Sequence, residues 1–281
     1  MSPVVVPFPS SLSPSRASDF MTCPLLFRFR SIDRLPEEPS LAAVRGSLVH
    51  RALETLYDLP ARERTPQAAT DLVERAFAEL ERDSPESADV VRDQVAGVEV
   101  GALIDAYFGL EDPRRLEPHA RELGVSVQLA DAFEARGFID RVDLSPDGQI
   151  RIVDYKTGRS PGAGFESKAM FQMRFYALVW WRMTGDVPAL LQLMYLGNGE
   201  VLRYEPDAAD LTSTERKVLA LRDAIARAAD AGEFDPSPSR LCDWCSHRAV
   251  CPAWGGTPPP LPPREEWPTS SARVDPEETD E

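Results

Sequence analysis

Apolar residues recur along this chain at two spacings, and the changes between them divide it into helical and extended stretches. After an extended start over residues 1–12, "SPSRASDFMTCPLLF" reads as a helical region with Ser13 as N-cap and Pro14 at the first helical position. "LAAVRGSLVHRALETLYDL" (41–59) carries apolar side chains at 41, 44, 48, 49, 52, 53 and 56, a helical stripe. "AATDLVERAFAEL" and "VEVGALIDAYFGL" continue helical patterns within 66–110. The period then falls to two. "ELGVSVQLA" (122–130), "FEARGFIDRVDL" (133–144) and "QIRIVDYK" (149–156) are expected strands, the last two joined by an "SPDG" turn. "SKAMFQMRFYALVWWRMTG" (167–185) returns to helix and stops at Gly185, ahead of Pro188. "ALLQLMYLG" and "EVLRYEP" read as strands around an "NG" turn, and "LTSTERKVLALRDAIARAADAG" (211–232) as an amphipathic helix ended by glycine. Helices, three strands, a helix, two strands and a helix make an α/β or α+β core with helical additions.

Composition narrows the setting. At 281 residues and 43% apolar the chain can bury one large core or two small ones. Its longest obvious apolar run, "YALVWW", is far short of the ~18 residues that span a bilayer. "MSPVVVPFPSSLSPS" lacks a basic leader and is broken by prolines, so a cytoplasmic location and no membrane association are expected. In that reducing compartment four cysteines read as ligands or reactive thiols rather than disulfides. The net charge is −15. From Thr257 on, 25 residues hold seven prolines and seven acids against two arginines, which predicts a disordered tail over 257–281 able to meet protein partners. An acidic chain engages a polyanion only through bound cations or a local basic patch, for which Arg28, Arg30 and Arg34 are the candidates.

Against that background one lysine stands out. Basic residues number 31, and only Lys156, Lys168 and Lys217 are lysines. In "IVDYKTGRS" strand alternation puts Asp154 and Lys156 on one face and Tyr155 on the other. The Tyr155 carbonyl at the strand end is a potential cation ligand, and Asp140 in "GFIDRVD" offers a second carboxylate from the neighbouring strand. An ordinary exposed Asp–Lys pair is the bland alternative, worth under ~1 kcal/mol. "GSLVH" adds His50 one turn after Gly46, and "QMRFY" puts Gln172 and Tyr176 one turn apart on a helix.

Together "GSLVH", "GFIDRVD", "DYKTG" and "QMRFY" resemble the four signatures of RecB-like nucleases of the PD-(D/E)XK superfamily. The likeness is to the branch holding the CRISPR-associated RecB-like exonucleases and the AddB nuclease domain, and it runs from Ser13 to Trp254. It implies a restriction-endonuclease-like core: a central mixed sheet flanked by helices, with a largely helical insertion over 41–116 and the nuclease core over 120–232. It further implies that His50, Asp140, Asp154 and the Tyr155 carbonyl bind Mg²⁺ or Mn²⁺ and that Lys156 is the catalytic lysine. Gln172 and Tyr176 would lie along DNA. Glu122 falls where the family often has an acid on its first core strand, and Arg141 and Asp143 would brace the site. Where many relatives in the wider superfamily have glutamate, this chain has Asp154, which keeps the carboxylate. The implied activity is metal-dependent exonuclease hydrolysis of DNA, preferring single strands, in repair or recombination.

Cys242, Cys245 and Cys251 cluster near the end, and Cys23 is the only other cysteine. A zinc ribbon would bring two paired knuckles, and the second is missing. Three thiolates plus a remote fourth suit the corners of a [4Fe–4S] cluster, with four-cysteine zinc and unligated thiols as alternatives. "TCPLLFRF" and "CPAW" also resemble the iron–sulfur pattern of the same nuclease branch, which implies a staple joining the N- and C-terminal segments of a single domain over 13–256. Two competing functions stay open: a catalytically silent DNA-binding or scaffold protein of this fold, and a zinc-bound interaction module.

Overall fold

A computed structural model describes residues 8–95, 98–162 and 166–268. In chain order the elements are β1 (Ser11–Leu12), α1 (Pro14–Thr22), α2 (Pro24–Ser31), α3 (Leu41–Leu56), α4 (Pro66–Asp83), α5 (Pro85–Val95), α6 (Val98–Leu110), β2 (Ala120–Ala130), β3 (Phe133–Leu144), β4 (Ile150–Lys156), α7 (Glu166–Thr184), β5 (Leu190–Tyr195), β6 (Glu200–Tyr204) and α8 (Ala208–Ala231). The expected helices and strands are present, in the expected order. Two compact units share the chain. Met1–Glu38, Ser126–Arg136 and Ser213–Glu281 form the first, Pro39–Val125 and Gly137–Thr212 the second. Among the described residues no helix is long and apolar enough to cross a membrane.

The second unit is built on a mixed sheet. β3 and β4 run antiparallel (Asp143 opposite Arg151), β4 and β5 parallel (Tyr155 opposite Met194), and β5 and β6 antiparallel (Leu193 opposite Leu202). β2 pairs with β3. A parallel pair needs a crossover, and α7 supplies it between β4 and β5. On one face Val153, Tyr155 and Met194 pack with Val49, Leu53 and Leu56 of α3, Val73 of α4 and Ile104 and Tyr107 of α6. Each large apolar side chain buried there is worth about 1.5–3 kcal/mol. Side chains start two of these helices: the Ser40 and Thr65 hydroxyls accept the Ala43 and Ala68 N–H groups, and Pro66 takes the first position of α4. Beyond Lys156 the chain is held against the turn after β5. Gly197 donates its N–H to the Gly158 carbonyl at 3.1 Å, and a Cβ at 197 would stand 2.6 Å from that oxygen, so only glycine fits.

In the first unit β1 pairs parallel with the start of β3 (Ser11 opposite Glu134). Ser13 caps α1, accepting the Arg16 N–H. The helix breaks at Cys23 because Pro24 pushes the preceding residue out of the helical region; Cys23 is extended (φ −164°, ψ 116°) and becomes the residue before α2. Cys251 repeats the device, extended ahead of Pro252 and a short turn over Pro252–Trp254. Gly256 then donates to the Cys251 carbonyl at 2.9 Å, and a Cβ at 256 would lie 2.3 Å from the Ala249 oxygen.

One boundary differs from expectation. The segment predicted to be disordered from Thr257 is folded as far as Pro268. Trp267 is 6% exposed, its ring edge-on to Phe8 at 4.9 Å and near Phe234 at 6.4 Å. Arg28 donates to the Pro259 carbonyl at 2.5 Å, and Arg264 pairs with Asp230 at 2.6 Å. Buried aromatic area outweighs the proline-rich composition up to that point. The acidic remainder, 269–281, lies outside the described residues.

Candidate metal centre and active site

The site of the second unit forms where β3 and β4 stop pairing. Their register ends at Arg141 opposite Val153, and the next N–H, of Tyr155, is taken by the Asp140 carboxylate at 2.8 Å. His50 enters from α3. Its Nε2 lies 2.9 Å from the Tyr155 carbonyl, and its Nδ1 lies 3.5 Å from the same Asp140 oxygen. If Nε2 carries the proton and donates to that carbonyl, Nδ1 turns a lone pair towards Asp140. Two ligands of one ion with bonds of about 2.1 Å span such a gap. Glu122 completes the group: His50, Glu122 and Asp140 each offer a ligand atom within 4.8 Å of the others.

Asp154 and Lys156 lie alongside, on the same face as Asp140 by strand alternation. Asp154 is 1% exposed and pairs with the Lys156 ammonium at 2.6 Å. Gln172 of α7 ties the two together. Its amide nitrogen donates to Asp154 at 2.9 Å and to the Tyr176 hydroxyl at 3.1 Å, and its carbonyl accepts from Lys156 at 3.0 Å.

The charges here are not balanced. Burial first, then the neighbouring Asp154, pushes the Asp140 carboxyl well above the usual carboxylate range. Burial, with Glu54 and Asp154 nearby, pushes Glu122 up as well. Burial lowers His50, which favours the neutral imidazole that binds metals. For Lys156 burial pulls down, but Asp154 and Asp140 outweigh it and the net shift is upward, so the amine stays an ammonium. Glu122 also has a left-handed backbone (φ 42°), uncommon for a residue with a side chain and costing of order 1–3 kcal/mol.

The opposite face of the same strands carries a closed network. Arg141 is 1% exposed and reaches Glu111 at 2.7 Å, Asp143 at 3.0 Å, the Tyr155 hydroxyl at 2.6 Å and the Tyr57 hydroxyl at 2.9 Å. Arg151 pairs with the same two acids. Arg141 and Asp143 therefore hold Tyr155 from behind, while the Tyr155 main chain contacts His50 and Asp140.

In the first unit, Cys23, Cys242, Cys245 and Cys251 line one pocket, whose ≈ 520 Å³ of empty volume includes open solvent. Backbone N–H groups point at two of the sulfurs, Ser237 to Cys23 at 3.3 Å and Ser239 to Cys242 at 3.4 Å. The Cys245 thiol is pushed up by burial and by the three neighbouring thiols, while the His247 N–H acts in the other direction. His247, in the same pocket wall, turns its Nε2 to Glu37 at 2.7 Å rather than to the sulfurs.

The structure thus gathers His50, Asp140, Asp154, Tyr155, Lys156, Gln172 and Tyr176 in one network. It draws Glu122 closer to that network than the sequence suggested. Sequence reasoning missed Glu111, Tyr57 and Tyr107 behind the strands. Two of the three arginines in the proposed patch are paired with acids. Arg28 is buried against Asp33 at 3.0 Å, and Arg30 is shared between Glu37 at 2.6 Å and Asp19 at 2.7 Å. Asp19, Asp33 and Glu37 stand close by in sequence and were the readable warning. Trp180 is buried, and Trp181 stacks under the Arg182 guanidinium at 4.0 Å.

An acid on one strand, facing an acid and a lysine two residues apart on the next, spells the letters D…D-x-K of a nuclease superfamily's name. Residues 11–252 match the model of the PD-(D/E)XK nuclease superfamily, and the chain belongs to it. Two mycobacteriophage proteins, each named Gene 69 protein, are similar. That of phage L5 is 35% identical over 139 residues, covering 48% of this chain and 45% of that protein. That of phage D29 is 24% identical over 274 residues, covering 86% and 96%. The matched region thus spans less than half of the L5 protein and nearly all of the D29 protein. A crystal structure from Eubacterium rectale, named "Putative exonuclease", has the same fold, with a TM-score of 0.50 and 14% identity over 86% of this chain and 89% of that one.

Proposed function

We propose that this chain is a divalent-metal-dependent deoxyribonuclease of the RecB-like branch, hydrolysing DNA from its ends with a preference for single strands, in repair or recombination. The observation that carries the reading is the convergence of His50, Glu122 and Asp140 beside the Asp154–Lys156 pair. One imidazole and hard carboxylate oxygens suit Mg²⁺ or Mn²⁺, with Asp154 and the Tyr155 carbonyl as further ligands. The raised Asp140 and Glu122 carboxyls support this, because acids crowded without a counter-ion hold protons where a cation would bind.

A bound divalent ion supplies positive charge against the phosphate oxygens and makes water more acidic. The protein residues do the rest. Lys156, kept an ammonium by Asp154, donates to the phosphate or the incoming water and does not accept a proton. Gln172 fixes the Lys156–Asp154 geometry, and Tyr176 extends the same polar edge. The water oxygen forms a new P–O bond as the P–O bond to one sugar oxygen breaks; the proton lost by the water goes to solvent and the departing sugar oxygen takes one from solvent, giving a phosphate monoester and an alcohol.

The four-cysteine pocket is assigned a [4Fe–4S] cluster. All four thiols line one pocket, three from the 242–251 segment and Cys23 from the start of α2, the one-plus-three arrangement that suits the corners of such a cluster. Backbone N–H groups aimed at sulfur stabilise thiolates, as a cluster needs. Such a cluster would tie Cys23 to the 242–251 segment. Protein purified without oxygen should be brown, and Cys245→Ser should bleach it; colourless protein carrying zinc would refute this assignment.

Labelled single-stranded DNA with Mn²⁺ tests the activity. Wild type should degrade it, and Lys156→Ala should lose about 10²–10³-fold in rate. Equal degradation by the two would remove the proposed role of the lysine.

A further inference from the structure

Phe138 is an aromatic residue that the site just described does not use. It lies two residues before Asp140 on β3, so the two side chains leave the strand on the same face. The residue is 51% exposed. Beside it on β2 is Gly124, two residues along from Glu122; a Cβ there would stand 3.3 Å from the ring. A glycine at that point leaves the ring room to lie across β2. An isolated exposed apolar residue is ordinary. This exposed ring differs in its surroundings: it shares a strand face with Asp140, and its glycine on β2 is two residues from Glu122, so it stands beside the candidate metal centre.

We propose that Phe138 is a base-stacking platform, holding an unstacked nucleobase next to the phosphate that is cut. The proposal rests on the nuclease reading above and names the part of the substrate that this face takes. Every base has a π-face, so stacking on phenylalanine is indifferent to sequence. It is not indifferent to strandedness. In a duplex the base faces are covered by their neighbours, and only a single strand or a frayed end offers one to a ring at the surface. The platform therefore supplies a physical source for single-strand preference, in a protein whose net charge is −15.

The test uses the full-length protein and a single-stranded oligonucleotide carrying 2-aminopurine, in metal-free buffer where nothing is cut. Wild type should bind it and quench the fluorescence. Phe138→Ala should lose the quenching and bind about tenfold more weakly, and Phe138→Trp should restore both. An internal 2-aminopurine in a blunt duplex should show no dependence on residue 138. Because the ring is exposed, truncation should leave the melting temperature near that of wild type. Equal affinity and quenching by wild type and Phe138→Ala would overturn the platform. Cleavage with Mn²⁺ is scored separately. Phe138-dependent quenching without cleavage would sink the activity and keep the platform; cleavage with binding insensitive to residue 138 would do the reverse. A protein that neither binds nor cuts would sink both.

Discussion

β3 and β4 carry ionised groups on both faces, and the two faces are organised in opposite ways. On one, Arg141 and Arg151 meet Glu111 and Asp143, with two tyrosine hydroxyls filling the remaining hydrogen bonds of Arg141. Two cations face two acids, and the network closes on itself. On the other, among the described residues, three acids, Glu122, Asp140 and Asp154, outnumber the cations acting on them, Lys156 beside Asp154 and Arg51 near Glu122, and His50 is biased towards its neutral form. Both faces bury charge, but only one leaves it uncompensated. Burying an ion is costly unless it is paired, so the first face makes a rigid backing and the second is the one on which a cation is proposed to bind. Tyr155 links them: its hydroxyl belongs to the closed network, and its carbonyl and N–H contact His50 and Asp140.

Substitutions on the two faces should therefore act with opposite sign. The largest effect is expected for Arg141→Ala, which strands Glu111 and Asp143 in the interior and should cost about 3–5 kcal/mol in denaturant unfolding. Asp140→Asn should be smaller and stabilising without metal. Asparagine keeps a carbonyl oxygen for the Tyr155 N–H but carries no charge. The sign follows from the upward shift of Asp140. A carboxyl raised in the folded state favours the protonated fold, so metal-free wild type loses stability as pH rises from the usual carboxylate range through the raised pKa. The advantage of the asparagine should be fully present above that window and disappear below it. Glu122→Gln should behave alike and more weakly, since Glu122 is the more exposed of the two and has Arg51 nearby. Destabilisation by Asp140→Asn at neutral pH without metal would break the contrast.

Much of this was readable from sequence, for physical reasons. Strand and helix periods mark local burial, so the elements appeared at nearly the observed bounds. Alternation alone put Asp154 and Lys156 on one face. What escaped depends on distant packing or unusual backbone. The anchor that folds 257–268 is an aromatic cluster of Phe8, Phe234 and Trp267, residues far apart in the chain with no shared period. The left-handed turn at Glu122 has no signature in a strand-like stretch, so its approach to His50 was not visible. Arg28 and Arg30 looked like free basic groups because charge counting ignores acids that the fold brings back from five to eleven residues away.

Calorimetric titration of the metal-free protein with Mn²⁺ tests the uncompensated face most directly. Wild type should bind one or two ions at neutral pH, with affinity falling as pH drops and protons reoccupy Asp140 and Glu122. Asp140→Asn, folded by circular dichroism, should lose that binding. Unchanged Mn²⁺ affinity in Asp140→Asn, or no binding by wild type at any pH, would contradict the account.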